Sequence, residues 1–85
     1  MGDYAMEYDK AKVDDCVLAL LCLTLHEEND LGARAWKGHD WDALNRLHER
    51  GLIDDPKNKA KSVVLTHAGV QKCRKLFRRL FGKTA

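Results

Sequence analysis

From Asp40 to Gly69 an amphipathic helical repeat stops at a glycine and restarts at a threonine, with two short apolar runs between them. Trp41, Leu44 and Leu47 recur at helical spacing and predict a helix from Asp40 to Arg50 with its apolar side in the core. Asp40 suits the N-cap, and Asp42 suits the positively polarised first turn. Gly51 falls at the C′ position, where the chain needs a positive φ. That puts Leu52 against Leu47 as the apolar pair of a Schellman end. Leu52-Ile53 then opens a strand, Asp54-Asp55-Pro56 has turn chemistry, and Lys57-Asn58-Lys59 forms a polar tip. Ser62 to Leu65 is a β-branched return strand. Thr66 caps a last helix over His67 to Phe81, whose stripe is Val70, Cys73, Phe77, Leu80 and Phe81.

Before this unit, Asp9 is placed to cap a first helix running from about Lys10 to Glu27. Residues 16–25 of that helix are apolar nearly all round, which predicts burial on most sides. A chain this short has few elements to cover such a helix, so a homodimer is one solution. Asn29-Asp30 and Gly32 read as the end of the first helix. Arg34-Ala35-Trp36 is then a short strand, or Asp30 to Trp36 a single helical turn. Residues 1–9 lack periodicity and read as a frayed arm in which Tyr4, Met6 and Tyr8 alternate. Residues 10–82 form the single domain and 83–85 a short tail.

The 85 residues suffice for one modest core. The longest apolar run, Cys16 to Leu25, is too short to span a bilayer, which takes about 20 residues. The acidic first residues lack the basic start of a secretory signal. Cys16, Cys22 and Cys73 are odd in number and lack metal-clip spacing, so free thiols in a reducing cytoplasm are expected. A net charge of +2 hides a division: residues 1–55 carry all 13 acids against six Lys and Arg, whereas residues 56–85 carry nine Lys and Arg and no acid. Such a split fits an acidic partner for the C-terminal third, or two lobes that neutralise each other within or between chains.

The pattern Leu44-x-x-Leu47-x-x-x-Gly51-Leu52-Ile53, a polar hairpin, then Val64-Leu65-Thr66-x-x-Gly69 resembles the wing region of MarR-type winged helix-turn-helix proteins. The whole chain, above all Trp36-Lys37-Gly38-x-Asp40-Trp41-Asp42-Ala43-Leu44-Asn45-Arg46-Leu47, is also similar to small uncharacterised bacterial proteins of unknown function. The resemblance implies an α+β, mostly α, winged-helix-like domain: helix, short linker element, helix, β-hairpin wing, helix.

On that fold, double-stranded DNA would be read by Asn45 and Arg46, donors suited to adenine and guanine edges. Arg50, Lys57, Lys59 and Lys61 would take phosphates. Asp42 and Glu49 share the helix face with Asn45 and Arg46 and repel phosphate, so the wing is expected to contribute more than the helix. The other function class is a non-catalytic interaction module, dimerising through the first and last helices. Trp36 and Trp41 would anchor a partner if exposed, but core packing is the expectation for both. Cys22 and His26, four apart, share a helix face, but two ligands do not make a zinc site, and His39, His48 and His67 are scattered. There is no nucleophile–base spacing, phosphate loop or cofactor motif, so neither an enzyme nor a small-molecule or cofactor site is expected.

Overall fold

The computed structural model describes residues 7–83. Most of the expected N-terminal arm, including Tyr4 and Met6, and the last two residues of the tail lie outside the described residues. The elements are α1 (Lys10–Leu21), a 3-10 turn (Cys22–Thr24), β1 (His26–Asn29), β2 (Gly32–Trp36), α2 (Trp41–Glu49), β3 (Ser62–Thr66) and α3 (His67–Phe81). The result is a small α+β domain with a three-stranded antiparallel sheet in the order β1-β2-β3.

The helix starts follow the side-chain chemistry. Asp9 accepts from Lys12 N at 3.1 Å, Asp40 from Ala43 N at 3.1 Å, and Thr66 Oγ1 from Gly69 N at 3.1 Å. At the end of α2, Gly51 takes φ 75°, Gly51 N–H reaches His48 O at 2.9 Å, and Leu52 N–H reaches Leu47 O at 3.1 Å. These are the two hydrogen bonds of the Schellman end.

The first helix is shorter than its apolar run. It stops at Leu21 rather than Glu27, because the chain turns at Thr24 and His26–Asn29 pairs with β2. Thr24 Oγ1 accepts from Trp36 N at 2.9 Å, tying the turn to the far end of β2. Asn29 and Gly32, read as helix terminators, instead close a hairpin. Asn29 Oδ1 accepts from Leu31 N at 2.8 Å, and a Cβ on Gly32 would overlap the Leu65 carbonyl oxygen of β3. Of the two alternatives for this segment, the strand is the one formed.

The expected wing hairpin is reduced. Leu52-Ile53 makes only an isolated bridge, Ile53 to Leu65, while the full partner of β3 is β2. Ala33, Ala35, Val63 and Leu65 point into the core, where Leu18, Leu21, Leu44, Leu47, Val70, Cys73 and Leu76 cover them. Alternation leaves Arg34, Trp36, Ser62 and Val64 on the uncovered face, the usual pattern for an antiparallel sheet. The helical cover is incomplete as well: Cys16, Leu20 and Leu23 are exposed, against the expectation of a first helix buried on most sides. No helix among the described residues is long and apolar enough to cross a membrane.

Candidate functional site

The face of α2 assigned to base reading is largely committed inside the fold. Arg46 turns towards α1 and grips Asp14: Nε lies 3.0 and 2.8 Å from the two carboxylate oxygens, and Nη2 lies 2.7 Å from Oδ1. Asp14 is only 3% exposed, a buried carboxylate on the core side of α1 that requires such a partner. The hydrogen bonds from Arg46 to Asp14 raise the guanidinium pKa further. Arg50 and Arg79 both approach Asp15 at 4.0 Å. Asn45 is half-buried, while Asp42 and Glu49 are exposed. Of the sequence candidates, then, Arg46 and Arg50 face acids of α1, and Lys57, Lys59 and Lys61 stand exposed on a separate loop.

That loop is held to the end of the sheet by a residue absent from the sequence-based candidates. Lys37 Nζ donates to Pro56 O at 2.8 Å, Asn58 O at 3.1 Å and Asn58 Oδ1 at 3.0 Å, using all three ammonium protons. Its backbone N–H donates to Lys61 O at 3.2 Å. The same Nζ lies 5.9 Å from the centre of the Trp41 ring, within cation–π range. Inside the segment, Asp55 Oδ1 accepts from Lys57 N and Asn58 Oδ1 from Ala60 N.

Both tryptophans flank this anchor and both are 51% exposed, which corrects the expectation that they pack in the core. Trp36 ends β2 on the uncovered sheet face. A Cβ on Gly38 would come within 2.6 Å of its Nε1, so the indole lies against that glycine. Trp41 sits in the first turn of α2, where the stripe begins outside the core, and the fully buried residues of the helix are Ala43, Leu44 and Leu47. The available sequence signal was the close run Trp36-Lys37-Gly38 and Trp41 beside a lysine-bearing loop, with a glycine leaving room for the indole.

Residues 9–83 match the family model described as Domain of unknown function (DUF6429). The chain belongs to this family. It is similar to a protein of Sinorhizobium fredii (strain NBRC 101917 / NGR234) named "Uncharacterized protein y4hR", 60% identical over 76 residues, covering 89% of this chain and 97% of the relative. No solved structure matches.

Elsewhere in this DUF6429 domain the chemistry is sparse. Cys22 and His26 do not share a helix face, because the helix ends before them and His26 lies on β1, where its Nδ1 is 2.8 Å from Thr24 O. Cys22 instead approaches Cys73. Burial is the main cause that pushes the Cys73 thiol up to about 12, and Cys22 adds to it. Among the described residues, no three His, Cys, Asp or Glu side chains gather to hold a metal. A shallow depression of about 420 Å³ on the sheet, lined by Glu27, Asn29, Leu31, Arg34 and Val64, is open to solvent and has no buried polar group aimed into it. His39 is held below its ordinary pKa by burial.

Proposed function

We propose that this chain is a non-catalytic, winged-helix-like interaction module of the bacterial cytoplasm that dimerises through its first and last helices. The winged-helix-like reading draws on the order α2, Gly51-Leu52-Ile53, lysine loop, β3 and the Thr66-capped α3. In place of a helix ahead of α2 the chain has the β1–β2 hairpin, which favours an interaction module over a helix-turn-helix reader.

One observation carries the proposal: apolar side chains remain exposed on the very helices that build the core. Leu20 and Leu23 on α1 and its turn, and Leu80 and Phe81 at the end of α3, are 38–66% exposed. A second copy covering these side chains would remove that apolar surface from water. The test is light scattering across a concentration series. A dimer that Leu20→Glu with Leu80→Glu converts to a folded monomer supports the reading, and a wild-type monomer at high concentration overturns it.

A second reading, a dimeric DNA-binding protein, has its own support in Lys57, Lys59 and Lys61. All three are exposed, and none has an ion-pair partner among the described residues. Binding to mixed duplex DNA with steep loss of affinity as salt rises would favour it. Absence of binding at low salt removes it.

A further inference from the structure

We propose that the end of the domain carrying Trp36, Trp41 and the lysine loop binds single-stranded nucleic acid, with the indoles stacking on bases and Lys57, Lys59 and Lys61 taking phosphates. This goes beyond the dimer reading and stands whether the chain is monomer or dimer. It also differs from duplex recognition by α2, because it uses neither Asn45 nor Arg46.

The argument starts with the two indoles. An exposed tryptophan costs little side-chain entropy to immobilise and offers a π-face on which any base can stack. These two are already positioned: Trp36 by strand pairing with Ser62 and by its seat on Gly38, Trp41 by the first turn of α2 and the ammonium of Lys37. A duplex keeps its base faces stacked on one another and has nothing to offer an indole, whereas a single strand presents them. An acidic peptide would engage the lysines but has no planar groups for the indoles. The combination of π-faces with cations selects the single strand.

Charge points the same way. Lys37 spends every ammonium proton on the loop, so its role is to position the platform. The lysines left for a ligand ride on the segment it holds. Arg34 lies two residues before Trp36 on the same uncovered face, its Nε bonded to Ser62 Oγ at 2.8 Å, and extends the cationic surface along the sheet. It also forms an exposed ion pair with Glu27 at 3.8 Å, which partly offsets its charge. Two of the neighbouring carboxylates accept from backbone, Asp40 from Ala43 N and Asp55 from Lys57 N; these and Asp42 and Asp54 are exposed and reduce the positive field of the loop.

The test uses the full chain with a short oligothymidylate and a short oligouridylate, read by quenching of tryptophan emission and by anisotropy of a labelled strand over a salt series. The proposal expects quenching that saturates, with affinity falling as salt rises. Trp36→Ala and Trp41→Ala should each weaken binding by roughly fivefold or more, the scale of one lost base stack. Trp36→Phe and Trp41→Phe should restore most of it, which a merely structural role for the rings would not require. Changing Lys57, Lys59 and Lys61 together to Glu should weaken binding to both strands and flatten the salt dependence. Circular dichroism checks that each variant is folded. The proposal is overturned if neither strand quenches emission at low salt, if a duplex of equal length binds as tightly and ignores the tryptophan changes, or if polyglutamate quenches equally well.

Discussion

Asp14 and Arg46 bind each other across the α1–α2 contact through three hydrogen bonds of 2.7 to 3.0 Å, and the carboxylate is almost fully removed from water. Removing one partner from such a pair leaves a buried charge without compensation, so Arg46→Met should destabilise the fold by about 3 kcal/mol. The double variant Asp14→Leu with Arg46→Met removes both charges and should recover most of that loss. Urea denaturation of the four proteins in the cycle measures the difference. Equal destabilisation by the single and double variants would show that the pair adds nothing beyond packing.

Two glycines should respond in opposite proportion to the same substitution. At Gly51 the backbone is left-handed with φ 75°, and a Cβ meets nothing within 4 Å, so Gly51→Ala should cost only about 1 kcal/mol of conformational strain. Gly69 lies inside α3, where alanine gains helix propensity by about 1 kcal/mol. There, however, a Cβ would overlap the Leu52 carbonyl oxygen, which also accepts from Thr66 N at 3.1 Å. Backbone of the last helix must separate from backbone of the α2 exit to make room. Gly69→Ala should therefore destabilise more than Gly51→Ala, and a thermal melt of the two variants decides the order.

The elements that could be read in advance were those whose signals are local. Asp40, Gly51 and Thr66 act within a few residues of themselves, and each forms the cap or helix end that its chemistry dictates. His26–Asn29 could not be read this way: it contains no alternating apolar residues and is exposed throughout, and it becomes a strand because β2 offers it a partner. The wing strand is short because Leu52-Ile53 meets the other edge of β3 through the single bridge of Ile53 to Leu65, whereas β2 pairs along the whole of its edge. Periodicity placed Trp41 correctly on the stripe with Leu44 and Leu47, but it does not report where along a helix the core ends. Of the site residues, the exposure of Lys57, Lys59 and Lys61 followed from loop chemistry, whereas the capture of Arg46 by Asp14 spans 32 positions and has no local signature.

Lys37 supplies the third prediction. Its three acceptors belong to Pro56 and Asn58, so Lys37→Met should release the loop while leaving the core intact. The ammonium is partly solvated, and the global loss should be about 1 kcal/mol, the ordinary net value of hydrogen bonding at such a site. Local opening should be far more evident. Amide exchange at Asn58, Ala60 and Lys61 should accelerate, with little change at Leu65 or Val70, and limited proteolysis should cut within residues 56–61. Unchanged exchange in the loop would assign its order to Asp55 and Asn58 alone.

Half-buried His39 and buried Cys73 bound the pH range of full stability. Burial lowers the pKa of His39 from 6.5, so the unfolded chain binds its proton first on acidification, and stability is lost as pH falls below about 6.5. Burial, with a smaller contribution from Cys22, raises Cys73 from 9.0 to about 12, so the unfolded chain releases its proton first, and stability is lost as pH rises from about 9 towards 12. Between these limits neither group contributes a slope. Denaturant midpoints measured across pH should show both limbs, with His39→Gln flattening the acid limb and Cys73→Ala the alkaline one. Other groups titrate at high pH, so the difference between wild type and Cys73→Ala is the quantity to read. The same burial predicts thiol reactivity: an alkylating reagent at mildly alkaline pH should modify exposed Cys16 first and Cys73 last, because only the thiolate reacts and Cys73 keeps its proton. If Cys73 were modified as fast as Cys16 in the folded protein, the α1–α3 contact would have to open far more often than a packed core allows.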